Sequence, residues 1–175
     1  DPEIRFAALM HDLGKGITPK EELPHHFTHE KTGVPLVKAV CDRYRSPNSF
    51  RALACLASEH HLRCHRVFEM KPGKIIKLLM NLDAFRQPNR FEKWLVACEA
   101  DARGRLGKDK EVYTQAVFLR ECLGKASQVT GRMFVEKGCK GEVIGDLIHQ
   151  ERARVIQPIH KAWQSQKKGG GFEEN

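Results

Sequence analysis

Histidine and carboxylate side chains that could do chemistry occur together at several places within residues 11–101. His11 and Asp12 stand directly before a glycine-rich turn that contains Gly14 and Lys15. Imidazole and carboxylate ligands together suit borderline and hard divalent ions such as Mn, Ni and Mg. In such a centre Gly14 would leave room for a substrate, and Lys15 would supply a cation to a phosphate oxygen. The other histidine and acidic residues of interest are His25, His26, His29, His60, His61, His65 and Asp101.

The same side chains also admit ordinary structural interpretations. His11 and Asp12 lie at the predicted end of a helix, where they could simply close its C-terminus. His29 could be a surface histidine in the first turn of a helix. His60 competes with His61 for one ligand position, because the two residues are adjacent and only helical register separates them. Residue types alone leave both kinds of interpretation open.

The chain is basic, with a formal net charge of +8 and a sequence pI of about 9.3. The excess of positive charge lies downstream of residue 50 and suits a phosphate-rich partner such as RNA. The candidate RNA-binding residues are Arg103, Arg105, Lys74 and Lys77. The two arginines could instead neutralise a helix C-terminus or form an ion pair with Asp101. A merely solvated, lysine-rich surface is the alternative for the charge as a whole.

Length and composition exclude several classes of protein. With 175 residues, 41% hydrophobic and 30% charged, the chain is globular and can bury a core. Its apolar runs are far shorter than the roughly 20 residues that span a bilayer, and its start lacks a signal-peptide pattern. No two of its six cysteines form a C-x-x-C pair, which argues against a zinc ribbon and for free thiols in a cytoplasmic protein. Because the chain begins with Asp-Pro, we expect it to be a piece of a longer protein.

The elements that must position these side chains are predicted to be helices. Apolar periodicity dominates, and no alternating β-branched run occurs, so we predict an all-α fold. The first helix is predicted over Ile4–Leu13, and the second runs from a Thr28 cap through Val40. Further helices are predicted to begin at Ser46-Pro47, Lys71-Pro72-Gly73 and Gln87-Pro88, and to lie near 110–125, 129–137 and 141–166.

One candidate domain boundary, the predicted seam, lies at Gly104–Lys110. We predict a site-bearing module over residues 1–105 and a helical extension over residues 106–168. The glycine-rich end, residues 169–175, is predicted to be a flexible tail. The extension is expected to contact RNA.

The stretch Ala8–Gly16 resembles the signature of HD-domain phosphohydrolases, which are helical bundles with a metal site of pattern H…HD…H…H…D. The resemblance also implies a first histidine some tens of residues before His11, where this chain has no counterpart. The metal ligands that it implies are His11, Asp12, His29, His61 and Asp101, with His60 as the register alternative. The catalytic residues that it implies are His11, Asp12 and Lys15.

A narrower resemblance covers nearly the whole chain. The segments Arg5–Lys15, Pro24–His29 and Glu99–Arg105 together resemble bacterial CCA-adding enzymes, the tRNA nucleotidyltransferases that carry a C-terminal HD domain. The segments that also fit this family are Lys74–Leu78, Asp83–Pro88 and Gly138–Gly141. One position departs from the family, because close relatives have a His-Asp pair where this chain has His61-Leu62. Leu62 cannot bind metal, so either that aspartate is not a ligand or this protein has a weaker second metal position.

The resemblance implies an HD phosphohydrolase domain within an enzyme that builds and repairs the tRNA 3′-CCA end. It implies hydrolysis of 2′,3′-cyclic phosphates, 2′-nucleotides and phosphomonoesters with a divalent ion, Mg, Mn or Ni. The expected partners are the tRNA 3′ end and nucleotide phosphates, without a membrane, and a homodimer is left open. His25, His26 and His60 are expected to support the ligands or contact phosphate. The alternative function is a non-catalytic tRNA-binding body with a relic metal site, which Leu62 favours.

Overall fold

The computed structural model describes residues 1–169, with side chains through residue 165. All regular structure within residues 1–169 is helical, which confirms the predicted all-α fold. The α-helices are α1 Pro2–Met10, α2 His29–Arg43, α3 Asn48–His65, α4 Pro72–Asn81, α5 Pro88–Arg103, α6 Thr114–Ser127, α7 Arg132–Val135 and α8 Val143–Gly169. Short 3-10 turns lie at Leu13–Ile17, Lys20–Glu22 and Val67–Glu69. Of the predicted tail, Gly169 ends α8 and residues 170–175 lie outside the described residues.

Proline marks three helix starts at the predicted places. Pro72 and Pro88 occupy the first turn of α4 and α5, and α3 begins at Asn48, directly after Pro47. The first four backbone N–H groups of a helix have no partner within the helix, so proline loses nothing there, and its fixed φ is already helical. All three predicted helix starts are confirmed, and this reason applies to Pro72 and Pro88, whereas Pro47 lies directly before α3.

Two predicted boundaries are wrong by several residues. α1 ends at Met10 rather than at Leu13, because the chain leaves the helix at its His-Asp pair and continues as a 3-10 turn. Thr28 is the N-terminal flanking residue of α2, but its φ of 59° is left-handed and its side chain makes no capping hydrogen bond. α2 also continues past Val40 to Arg43.

The chain forms two compact units that alternate along the sequence. Unit 1 comprises Asp1–His65 and Gln87–Ala116, and unit 2 comprises Arg66–Arg86 and the described chain from Val117. All five predicted metal ligands belong to unit 1. This division differs from the predicted boundary at residue 105, which stays a prediction about domain organisation.

Unit 1 has a core of apolar side chains from α2, α3 and α5. Val37, Leu53 and Phe91 are almost completely buried, and so is Trp94, whose indole N–H donates to the carbonyl of Leu56 at 3.1 Å. Full burial of such a side chain contributes about 1.5–3 kcal/mol relative to leaving it exposed. This packing holds in place the helices that carry the predicted ligands.

Unit 2 has its own core, which is partly aromatic. The Phe68 ring lies 5.1 Å from the Phe118 ring and 5.7 Å from the Trp163 ring, centroid to centroid. The Arg152 guanidinium lies 3.7 Å from the centroid of the Phe85 ring, a cation–π contact.

All six cysteines of the chain are free, as expected. None of the helices in residues 1–169 combines the length and apolar character that crossing a bilayer requires.

Candidate metal centre

The end of α1 directs the His11 and Asp12 side chains to one side. His11 keeps helical φ and ψ of −57° and −35°, and Asp12 departs from them with φ −101° and ψ 11°. This break lets two adjacent side chains converge, although neighbours within a regular helix point about 100° apart. The simple C-terminal cap considered for this pair does not account for that convergence.

A contact between glycines brings this turn against α2. A Cβ atom added to Gly14 would lie 2.1 Å from the carbonyl oxygen of His29 and 2.8 Å from the backbone nitrogen of Gly33. Because real Cβ atoms do not approach so closely, only glycine permits the observed spacing at position 14. Gly14 therefore provides close backbone packing, rather than the room for substrate that the sequence suggested.

The five predicted ligands converge in unit 1. Asp12 Oδ1 lies 3.2 Å from His29 Nε2 and 3.5 Å from His61 Nε2. Asp12 Oδ2 lies 3.2 Å from His11 Nε2, which is 3.4 Å from Asp101 Oδ1. Ligand atoms of His11, Asp12 and His61 all lie within 4.8 Å of one another. The structure thus brings together residues from α2, α3, α5 and the turn after α1.

Backbone carbonyls orient the three clustered imidazoles in the same way. Nδ1 of His11 lies 2.6 Å from the Ala8 carbonyl oxygen, and Nδ1 of His29 lies 2.7 Å from that of His26. Nδ1 of His61 lies 3.0 Å from the carbonyl oxygens of both Ala57 and Ser58. A carbonyl only accepts, so each Nδ1 carries a proton, and each ring directs Nε2 into the cluster, where that nitrogen offers a lone pair once it is unprotonated. This is the tautomer that a metal-binding histidine needs.

The electrostatics of the cluster favour a positive charge at its centre. Burial by itself lowers the pKa of His11, but the Asp101 and Asp12 carboxylates outweigh burial and raise that pKa to about 10. Burial likewise opposes ionisation of both carboxyls, yet the neighbouring histidines and Lys15 hold the pKa of Asp12 well below its usual range. His11 and His65 do the same for Asp101. The carboxylates that favour a proton on His11 would also favour a divalent cation.

The residues present fit a divalent ion. His11 Nε2 and Asp12 Oδ1 are buried, and neither makes a hydrogen bond of good geometry to any residue whose side chain is described. Buried polar atoms normally have a partner, because desolvation without one costs free energy. Three imidazole nitrogens and two carboxylate oxygens form the mixed N and O donor set that borderline divalent metals accept.

Register distinguishes the two adjacent histidines on α3. His61 faces the cluster, whereas His60 Nε2 lies 3.9 Å from Glu59 Oε1, and burial lowers the pKa of His60. Leu62 lies at the exposed surface of α3. The geometry therefore favours His61 over its neighbour as the ligand candidate.

The two predicted supporting histidines in the loop before α2 differ in their contacts. The backbone carbonyl of His26 orients the His29 ring, and the Nδ1 atom of the His26 ring lies 2.8 Å from Thr18 Oγ1. His25 is exposed and stacks on Phe27, with ring centroids 5.5 Å apart. His26 thus supports a ligand candidate through its backbone rather than through its imidazole.

The predicted basic residues are placed in three different ways. Lys15 Nζ lies 2.5 Å from Asp12 Oδ2 and remains 40% exposed, so it can also approach a ligand. Arg103 donates to the carbonyl of Asp109 at 2.9 Å from Nε and to Glu99 Oε1 at 2.8 Å from Nη1. These bonds support the structural interpretation of Arg103 at the C-terminus of α5. Arg105, Lys74 and Lys77 are exposed.

Two further residues are connected to Asp101 by hydrogen bonds. His65 Nε2 lies 2.7 Å from Asp101 Oδ2, and Tyr113 Oη lies 2.8 Å from His65 Nδ1. His65, already of interest in the sequence, lies four residues after His61 on α3 and shares its face. Tyr113 carries no such local signal, since it lies 48 residues from His65.

The chain is similar to a known domain family and to known proteins. Residues 2–86 match the family model of the HD domain. A multifunctional CCA protein of Hahella chejuensis is 45% identical over 170 residues, which are 96% of this chain and 40% of that protein. Multifunctional CCA proteins of Nitrosococcus oceani and Alkalilimnicola ehrlichii are 48% and 47% identical over 91% and 92% of the chain.

The chain spans about 40% of the length of these relatives. No solved structure matches the chain significantly. The family match ends at residue 86, so Asp101 and Tyr113 lie beyond it, whereas the similarity to the relatives extends over nearly the whole chain. The chain therefore carries an HD domain at residues 2–86 and is, over nearly its whole length, a homologue of part of the multifunctional CCA proteins.

Proposed function

We propose that this chain is a metal-dependent phosphohydrolase domain of a CCA-adding tRNA nucleotidyltransferase. The supporting observation is the cluster in which ligand atoms of His11, Asp12 and His61 lie within 4.8 Å of one another. His29 Nε2 lies 3.2 Å from Asp12 Oδ1, and Asp101 Oδ1 lies 3.4 Å from His11 Nε2. Its substrates would be 2′,3′-cyclic phosphates, 2′-nucleotides and phosphomonoesters, including those at a tRNA 3′ end. Homology to multifunctional CCA proteins supports tRNA as the partner.

Each residue has a distinct part in the proposed chemistry. The five clustered side chains would hold the ion, Mg, Mn or Ni. When bound, such an ion supplies a Lewis acid that polarises a phosphoryl oxygen and lowers the pKa of water. Lys15 would offer its ammonium group to a phosphoryl oxygen on which negative charge develops. Asp12, 2.5 Å from the Lys15 ammonium, would both bind the ion and orient that cation.

Hydrolysis assays test this function directly. The purified chain, loaded with Mn²⁺, Ni²⁺ or Mg²⁺, would be assayed for hydrolysis of 2′,3′-cyclic AMP, 2′-AMP and p-nitrophenyl phosphate. We expect metal-dependent turnover that Asp12→Asn abolishes. The matched control is Asp146→Asn, which changes an exposed aspartate in the first turn of α8 and should leave turnover unchanged. Equal turnover by wild type and Asp12→Asn would refute the assignment.

A second function is a non-catalytic tRNA-binding body with a relic metal site. The observation that favours it is Leu62, which supplies no ligand where the resemblance implies an aspartate. On this alternative, the chain binds tRNA with a salt-dependent affinity but shows no metal-dependent turnover of any of the three substrates. The assays above therefore separate the two functions.

A further inference from the structure

A partly buried chain of hydrogen bonds, a relay, runs from Tyr113 through His65 to Asp101. Tyr113 Oη lies 2.8 Å from His65 Nδ1, and His65 Nε2 lies 2.7 Å from Asp101 Oδ2. We propose that Tyr113 is a positioning residue of the metal centre, whose hydroxyl acts through His65 to fix the orientation of the Asp101 carboxylate. This inference rests on the proposed function, since it takes Asp101 as a metal ligand.

The direction of each hydrogen bond follows from the chemistry of the acceptors. The Asp101 carboxylate is ionised and can only accept, so the proton between the two residues belongs to His65 Nε2. In a neutral imidazole the other nitrogen, Nδ1, is then an acceptor, and the Tyr113 hydroxyl donates to it. Cys64 Sγ, 3.3 Å from the same hydroxyl oxygen, is a second and weaker acceptor for the single hydroxyl proton.

The relay leaves one oxygen of Asp101 for the metal. Oδ2 accepts from His65, while Oδ1 faces the cluster and lies 3.4 Å from His11 Nε2. A carboxylate held in this way presents a single oxygen in a fixed direction. Hydrogen-bond partners that orient ligands typically account for 10–100-fold in metal affinity.

The relay also gives a role to a segment of the chain that lies outside the HD-domain match, which ends at residue 86. Tyr113 is buried directly before α6, and Gln115 Nε2 donates to the His65 carbonyl oxygen at 3.4 Å. These two contacts attach residues 113–115 to the end of α3, and both lie within unit 1. The metal centre therefore depends on a segment that follows the predicted seam at Gly104–Lys110.

Nitrogen-15 NMR of the imidazole side chains tests the direction of the relay. In the metal-free wild-type chain, we expect His65 in the Nε2–H tautomer. Tyr113→Phe keeps the ring but removes the hydroxyl, so Nδ1 of His65 loses its hydrogen-bond donor and its nitrogen-15 resonance should shift to that of a ring nitrogen that accepts no hydrogen bond. Tyr44→Phe is the matched control, because Tyr44 is the other tyrosine of the chain and its side chain is exposed. An Nδ1–H tautomer in wild type, or an unchanged Nδ1 resonance in Tyr113→Phe, would overturn the proposal.

Calorimetric titration with Mn²⁺ tests the consequence for the metal. We expect Tyr113→Phe to weaken Mn²⁺ binding by about 10–100-fold, with Tyr44→Phe unchanged. In a His65→Gln background, whose amide can still donate to Asp101, Tyr113→Phe should cause no further loss, because the hydroxyl acts only through His65. An equal loss in both backgrounds would show a merely structural role. If wild type bound no Mn²⁺, the proposed metal centre would fail, and the tautomer of His65 alone would decide the relay.

Discussion

Replacing Gly14 by alanine tests whether close backbone contact assembles the site. The added Cβ would lie 2.1 Å from the His29 carbonyl oxygen, 2.8 Å from the Gly33 nitrogen and 2.9 Å from the His29 carbonyl carbon. All three are backbone atoms, so no side-chain rotation relieves the clash. The turn and α2 would have to separate until the shortest distance reached the 3.4 Å at which ordinary contact begins.

A separation of more than an ångström would also disrupt the ligand cluster. His29 begins α2, and its Nε2 lies only 3.2 Å from Asp12 Oδ1. Overpacking of this kind costs about 1–3 kcal/mol of the free energy of unfolding. A misplacement of about 1 Å can cost about 100-fold in catalysis. We therefore expect Gly14→Ala to lower both stability and Mn²⁺ affinity, the latter by at least about tenfold, the lower limit for losing a supporting partner.

Gly16→Ala is the control, since a Cβ on Gly16 would meet nothing within 4 Å. We expect it to leave Mn²⁺ affinity unchanged and to stabilise the fold by at most about 0.4–1 kcal/mol, through the reduced entropy of the unfolded chain. Urea denaturation of the metal-free proteins measures stability, and calorimetry measures Mn²⁺ binding. A Gly14→Ala protein that matched Gly16→Ala in both measurements would refute the close-packing argument.

Three other predictions concern the same chain. Mn²⁺ binding must displace a proton from His11, whose pKa is raised to about 10 in the metal-free protein, so affinity should rise with pH by up to about tenfold per unit between about pH 6.5 and 8; calorimetry showing a flat profile would contradict this. His61→Gln should weaken Mn²⁺ binding strongly and His60→Gln should not; equal losses by calorimetry would refute the register assigned to α3. Changing both Lys74 and Lys77 to alanine should weaken tRNA binding and reduce its salt dependence by about two counterions; an unchanged slope in filter-binding assays would exclude these lysines.

Much of the secondary structure is predictable because its causes are local. Pro72 and Pro88 mark helix starts through their missing N–H and fixed φ, and apolar periodicity identifies the helices that follow. The end of α1 is harder to predict from the sequence, because His11 still has helical dihedral angles and only Asp12 departs from them. The capping role predicted for Thr28 fails, since its left-handed backbone takes the hydroxyl away from the N–H groups that it would accept from.

The candidate ligands are recognisable in the sequence because residue type and order carry their chemistry. An imidazole next to a carboxylate has the same donor atoms in any fold, and the ordered pattern of His11, Asp12, His29 and Asp101 points to a family. The choice between His60 and His61 depends instead on which face of α3 packs inward, and the sequence left both possible.

Tertiary structure alone decides how these donors meet. The Gly14 contact, the orientation of each Nδ1 by a backbone carbonyl, and the relay from Tyr113 depend on distances between separate elements. His65 pairs with Asp101 across 36 residues and with Tyr113 across 48. Such pairings follow from the packing of whole helices against one another, which no local pattern of residues specifies.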